Sequence, residues 1–435
     1  MGGSSRGDTQ SLAVLNPTMI LCCGAALLTV KKEHRQEKKW LFAWVAVIFV
    51  LNVFYLMPIQ AQLEKFSHDT SELAAIRTAA NTFGTTQTTA APDAVWQSLF
   101  FLFAPLAVLL SAIQLNRDDL RHTLLIVILL GSISGILGVL QLAGSASGPL
   151  YLYRITNNGS AVGLFANRNH AAVFLACLFP MLAVFATRSR ASDRKGKNTP
   201  KWLAMAIAVI LVPLVLVTGS RSGMLAATVG LIGGALLYNS HFPHNNAPNT
   251  KPASFPIAAA TILVGLVFAT IYFSRAEAIE RMFAEPARTI DRAEFWTSSL
   301  TLFWQYFPYG SGPGSFVQAF QKEEPLALLN GTYLNRLHND WLETALTFGV
   351  PGILLMLGAV IFFVRRSFLL WFHMDGARSA VALGRMASVI FAILGIASMS
   401  DYPLRTPAMM GFAGLVLIWF TEAGDARKVT VDNPD

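Results

Sequence analysis

The chain has 435 residues, 54% of them hydrophobic and only 13% charged, with a net charge of +8. A soluble domain carries about a quarter charged residues, so the composition excludes a water-facing globule of this size and predicts a polytopic membrane protein. The three cysteines, Cys22, Cys23 and Cys177, lie inside apolar runs with neither a disulfide framework nor metal-ligand spacing, and the basic excess reads as cytoplasmic loops rather than a nucleic-acid footprint.

A membrane helix needs roughly 20 apolar residues. In chain order, candidate spans lie near 12–30, 40–59, 95–113, 123–143, 170–187, 202–218, 223–238, 257–273, 341–364, 386–399 and 408–420, which predicts an all-α fold of eleven transmembrane helices. The first stretch follows a short head containing Arg6 and precedes a basic loop, with no clear small-residue cleavage site, so it reads as a retained span and not a signal peptide. Residues 1–435 read as one integral membrane domain without an internal repeat.

The loops divide by charge. Lys31, Lys32, Arg35, Lys38 and Lys39 crowd the first loop, six basic residues crowd 188–201, and Arg365, Arg366, Arg378 and Arg385 occupy 365–385. With eleven spans all of these fall on one side, which the positive-inside rule makes cytoplasmic. The other side receives 60–94, 144–169, the turn 218–222, the long loop 274–340 and the turn 400–407. Nearly every unusual polar cluster lies there, above spans that carry almost no charge apart from Glu343. Transporters and pumps place ionisable groups near the midplane. Charges at the outer interface instead suit a substrate with a polar head at the surface and a lipid tail in the bilayer.

Each cluster has a plain structural reading beside a chemical one. FANRNH (165–170) brings Asn167, Arg168, Asn169 and His170, hydrogen-bonding groups that suit sugar hydroxyls, phosphate or simply lipid headgroups. TGSRSG (218–223) sets Arg221 in a tight turn, either snorkelling toward headgroups or, with Ser220, Ser222 and backbone amides, gripping an anion. Arg288 and Arg292 share a helix face, where Asp291 and Glu294 offer ordinary partners. The following Phe295, Trp296, Leu300, Phe303 and Trp304 predict an amphipathic helix at the membrane surface, and GSGPGS after it reads as a turn. In RLHND (336–340), His338 is either a solvated loop residue or a general base, while Asn339 and Asp340 cap the next helix. Leu342 stands where a helical zinc site needs a second histidine. Asp401 and Arg405 in SDYPLR read most simply as partners of each other.

From about residue 95 to 420, FANRNHAA, TGSRSG, the Arg-x₃-Trp stretch ending in PYGSGPGSF, and LHNDWLETALTFGVPG resemble, in order and placement, the O-antigen ligase and O-antigen polymerase superfamily. That family often has twelve spans, against the eleven read here. The resemblance implies a metal-independent, cofactor-free glycosyltransferase of the bacterial inner membrane with its active site facing the periplasm, much of it in 274–340. Its donor is a glycan on undecaprenyl diphosphate. A ligase passes this to lipid A-core, and a polymerase passes it to the next repeat unit. The family's key residues fall on Arg221, Arg292 and His338, with Arg288 as a second candidate beside Arg292. Arg168, Asn167, Asn169, His170, Ser220, Asn339, Asp401 and Arg405 are expected to contact substrate. Direct displacement by an acceptor hydroxyl would invert the anomeric centre. Membrane lipid is an expected partner and nucleic acid is not. A protein O-oligosaccharide transferase, a lipid-linked oligosaccharide flippase and a structural scaffold are the remaining alternatives.

Overall fold

The computed structural model describes residues 2–57, 89, 91–187, 199–240, 298–324, 334–374 and 379–422. All regular structure among them is helical. The main helices are α1 (Leu12–Thr29), α2 (Lys39–Phe54), α3 (Pro92–Ala112), α4 (Arg117–Ala143), α5 (Arg168–Thr187), α6 (Thr199–Val217), α7 (Arg221–Ser240), α8 (Phe316–Glu323), α9 (Asp340–Phe372), α10 (Ser379–Ala397) and α11 (Pro407–Glu422). Among the described residues seven helices are long and apolar enough to cross a membrane, and the helices at Lys39–Phe54, Lys201–Val217 and Pro407–Glu422 are apolar but shorter. The chain is a multi-pass membrane protein. The predicted spans coincide with these helices except for 257–273, which lies outside the described residues.

Large apolar side chains such as Leu28, Leu354 and Phe372 are exposed. In water such a surface would aggregate; in a bilayer it is the ordinary solvent-facing surface. The centre of the bundle is formed by α5 and α10, whose residues are mostly buried. Against α5, α7 packs in parallel. A side chain at Gly223 would strike Ala172, one at Gly230 the Ala176 carbonyl, and one at Gly234 would crowd the Phe179 carbonyl at 3.2 Å. Small residues let two backbones approach where no hydrophobic effect drives helices together in lipid. This register sets the starts of α5 and α7, and so His170 and Arg221, at the same end.

At the opposite end, arginines cap the last carbonyls of three helices. Arg35 donates to Leu27 O (3.1 Å), Arg366 to Phe420 O (3.2 Å) and Thr421 O (3.0 Å), and Arg385 to Leu370 O (2.8 Å) and Met374 O (3.0 Å). Cations belong at C-termini, where orphan carbonyls and the negative dipole end converge.

The span expected at 341–364 is a broken helix. Its 33 residues would reach about 50 Å unbroken, well beyond a hydrocarbon core of about 30 Å. The break falls at Gly349, whose φ of 57° and ψ of −143° only glycine adopts readily, with Pro351 restarting the helix. The PYGSGPGS turn docks into the gap. Val350 N donates to Pro308 O (2.8 Å), Ser311 N to Leu346 O (3.1 Å) and Gly312 N to Thr347 O (2.8 Å), while the Tyr55 hydroxyl donates to Tyr309 O (2.6 Å) and Phe348 O (3.0 Å). Irregular backbone in a bilayer survives only when protein satisfies it in this way.

Before that turn, residues 298–306 are helical. Leu302 is fully buried, while Leu300 and Trp304, four apart, are exposed beside Phe307. The helix thus buries Leu302 and leaves apolar side chains exposed elsewhere; Phe295 and Trp296 of the expected surface helix lie outside the described residues.

Candidate active site

Three segments far apart in sequence meet at the end of the bundle where α5, α7, α9 and α11 begin. The loop before α5 is held down by Gln141 of α4, which is 1% exposed. Its side chain accepts from Val162 N (3.1 Å) and Gly163 N (2.8 Å) and donates to Leu150 O and Gly163 O (both 3.0 Å). A buried amide with every bond satisfied fixes the loop firmly. At its end Asn167 Oδ1 accepts from Asn169 N (2.8 Å), and Arg168 N donates to Asn157 (2.9 Å), starting α5 with His170 pointing inward.

Asp401 is the meeting point. His170 Nε2 lies 3.7 Å and His338 Nδ1 3.4 Å from its Oδ1, and Tyr402 N donates to the same oxygen at 2.9 Å. The His338 contact is at ion-pair distance and off hydrogen-bond alignment. Burial alone would raise the Asp401 carboxyl. The two imidazoles outweigh it and hold the group well below the usual carboxylate range. Both histidine rings meet the Tyr402 ring edge-on, with centroids 5.0 and 4.9 Å away. Burial, with the Asp401 charge beside it, pushes the Tyr402 hydroxyl up, so it stays protonated.

His170 and Asp401 are almost wholly buried, whereas the His338 side chain is 31% exposed. His338 thus connects a buried carboxylate to the surroundings. Its φ of 57° is the only positive value among the described non-glycine residues. A left-handed backbone at such a residue costs about 1–2 kcal/mol, so other contacts must hold it.

Those contacts form a second cluster just below. Arg336 Nη1 donates to Glu343 Oε1 (3.0 Å), and Leu337 N donates to Glu343 Oε2 (3.0 Å). Arg405 Nε donates to Asp340 Oδ1 (3.0 Å), lies 3.7 Å from Glu343, and its Nη2 donates to Thr344 (3.0 Å). Asp340 Oδ2 also accepts from Ser398 Oγ (3.0 Å), and Asn339 caps α9 by accepting from Leu342 N (3.0 Å). Asp401 and Arg405 therefore do not pair with each other. Each finds an opposite charge on another segment, because the turn between α10 and α11 directs their side chains apart. Burial would lower the Arg405 guanidinium, but the Glu343 and Asp340 carboxylates reverse this and raise it.

Arg221 opens α7 and is exposed. Ser220 is buried beneath it, accepting from Gly223 N (2.9 Å) and touching Ser222 Oγ at 3.2 Å. Arg288 and Arg292 lie outside the described residues. The structure thus brings His170, His338 and Asp401 together, with Arg405 in the adjoining ionic cluster. Sequence reasoning missed Arg336, Glu343 and Tyr402 as parts of the assembly. The adjacency of Arg336 to His338 was the available signal for the first; for Tyr402 there was none. Among the described residues no group of three or more His, Cys, Asp or Glu side chains is placed to hold a metal ion.

Below the site lies an apolar cavity of about 730 Å³. Trp341, Met399 and Leu404 line its upper part, and Trp44 and Val364 line it deeper.

No curated protein matches the chain. Residues 206–357, from α6 to the middle of α9, match the family described as O-Antigen ligase. That matched region is similar to a family of glycosyltransferase-like enzymes and supports a place in the O-antigen ligase and polymerase superfamily.

Proposed function

We propose that the protein transfers an undecaprenyl-diphosphate-linked glycan to an acceptor hydroxyl at the periplasmic face of the bacterial inner membrane, in the manner of a ligase acting on lipid A-core. The observation that carries this is the strained, partly exposed His338 backed by the buried Asp401. A carboxylate at Nδ1 favours the tautomer with its proton there, leaving Nε2 to accept one. The acceptor hydroxyl gives its proton to Nε2 as its oxygen attacks the anomeric carbon. The bond from that carbon to the diphosphate breaks, and inversion follows from direct displacement. Asp401 stabilises the imidazolium that forms.

Negative charge develops on the departing diphosphate. Arg221 at the start of α7, together with the helix's own N-terminal amides, suits that anion, with Arg292 or Arg288 as a second cation in place of a metal ion. Arg168, Asn167, Asn169 and Asn339 at the same end offer donors to sugar or phosphate oxygens. His170, Ser220 and Arg405 act from beneath, through Asp401, the turn before α7 and the start of α9. The apolar cavity beside Trp341 supports a lipid-borne donor. Arginine caps at the far end supply the positive-inside signal and support a site facing the periplasm.

The test is the lipid-linked glycan pool in a strain lacking the protein, complemented with wild type or His338→Ala. Long polymer retained on undecaprenyl diphosphate, cleared by wild type and not by His338→Ala, is the expected result. Single repeat units accumulating on the periplasmic face assign a polymerase instead. Full activity of His338→Ala, or an obligate divalent metal, overturns the mechanism.

A further inference from the structure

The first residues of the chain are built into this site. Gly2 O accepts from Ala408 N (3.0 Å) at the start of α11. Gly3 N donates to the Tyr153 hydroxyl (2.7 Å), and Gly3 O accepts from Ala166 N (3.1 Å), one residue before Asn167. Ser5 O accepts from Arg336 Nη2 (3.3 Å), and Ser5 Oγ accepts from Asn335 (3.4 Å). Arg6 closes on Asp8 at 2.9 Å. Ser4 and Ser5 are both buried. There is no room for a side chain at Gly3, where a Cβ would overlap the Leu164 carbonyl and lie 2.9 Å from Phe165 Cα. The segment therefore touches FANRNH, RLHND and the start of α11 together.

Its contact with Arg336 has a consequence for His338. One branch of the Arg336 guanidinium holds Glu343, and the other reaches Ser5 O. Glu343 in turn accepts from Leu337 N, the peptide that leads into the left-handed His338. On the opposite side Gly3 ties down the turn that delivers His170 to Asp401. One extended segment thus braces both histidine-bearing loops from behind.

We propose that Gly2–Asp8 is a strap of the transferase site, positioning Arg336 and the 164–167 turn so that His338 is held against Asp401. This rests on the transferase reading above, and the strap is a positioning element, since it touches neither reacting group.

Two measurements on the full-length purified protein test it. The first compares wild type, Gly3→Val and Arg336→Lys in transfer of lipid-linked glycan to acceptor. The strap predicts that Gly3→Val lowers kcat at least tenfold while the donor KM stays within about threefold, because positioning acts on the reacting geometry and not on binding. Arg336→Lys, which keeps the charge and loses the fork, falls between Gly3→Val and wild type. Wild-type kcat in Gly3→Val, or a rise in KM that accounts for the whole loss, overturns the proposal. The second measurement needs no turnover and no Gly3→Val protein. Ser5→Cys is treated with a membrane-impermeant maleimide. A docked strap leaves the thiol at least tenfold slower than an exposed reference cysteine at Asp8→Cys. Equal rates overturn the strap even if the enzyme is active. A slow Ser5→Cys thiol in a chain without transfer activity instead overturns the transferase reading and leaves the docked segment standing.

Discussion

Asp401→Asn removes a charge and leaves shape almost unchanged. The asparagine oxygen can still accept from Tyr402 N, which now donates to Asp401 Oδ1 at 2.9 Å. What is lost is the attraction between the carboxylate and an imidazolium at His338, 3.4 Å away. Two unit charges at that separation attract by ~1.2 kcal/mol in water and ~5 kcal/mol at an effective dielectric near 20. At ~1.4 kcal/mol per factor of ten, this brackets a loss of roughly 10-fold to 4000-fold in kcat. Asp401 is 1% and His338 31% exposed, so the local medium lies well away from water, and the expected loss is roughly 100- to 1000-fold. The assay is transfer of a radiolabelled or fluorescent lipid-linked glycan by protein in nanodiscs, with the amount of folded protein set by size-exclusion chromatography. A kcat within about threefold of wild type would show that no proton arrives on His338 in the rate-limiting step, and the general-base assignment would be abandoned.

The same carboxylate carries a pH signature. Its folded pKa is depressed, so its contribution to stability is present above the unfolded value near ~4 and is lost as pH falls from there toward the folded value. The thermal midpoint of wild type should therefore exceed that of Asp401→Asn at neutral pH, and the gap should close only below about pH 4; a gap that closes near neutrality contradicts this. Glu343→Gln leaves Arg336 and Arg405 short of a shared buried partner. It should cost about 3–5 kcal/mol, read as a lower midpoint in detergent, and an unchanged midpoint would remove the network from the stability argument. Gly349→Ala forces a Cβ onto the Pro308 carbonyl at a positive φ. A destabilisation of at least about 2 kcal/mol is expected, and monodisperse protein at wild-type yield and stability would contradict the broken-helix account.

The helices are legible because a bilayer permits few backbone solutions. An apolar stretch of sufficient length must satisfy its amides internally, and hydropathy then marks its place. The break at Gly349 was less visible, although Gly349-Val350-Pro351 carries both the left-handed residue and the helix-starting proline. A strong apolar signal hides a break whose amides are satisfied by a turn some forty residues upstream. The site was legible as residue types and not as pairs. Asp401 and Arg405, four residues apart, read as partners. Instead Arg405 answers Asp340, 65 residues away, and Asp401 answers His170 and His338. Local spacing predicts pairing only where one regular element carries both groups, and here only the three residues Pro403–Arg405 form a 3₁₀ turn between them.

The placement of the buried charges also favours the proposed transferase over a carrier. Asp340, Glu343, Arg336 and Arg405 lie together at one end of the bundle, two carboxylates against two guanidiniums, with Leu337 N and Ser398 Oγ donating to the carboxylates and Thr344 Oγ1 accepting from Arg405. A carrier that alternates its access must separate packed helices in each cycle. Doing so here would pull α9 from α10 and α11 and leave uncompensated charges, at about 3–5 kcal/mol for each broken pair. Such a network suits a rigid seat. What it seats is a histidine on a left-handed backbone, a conformation that costs energy and persists only where its surroundings fix it. In the proposed transfer, holding that one proton acceptor still where lipid-borne sugar and acceptor would meet is catalysis by positioning.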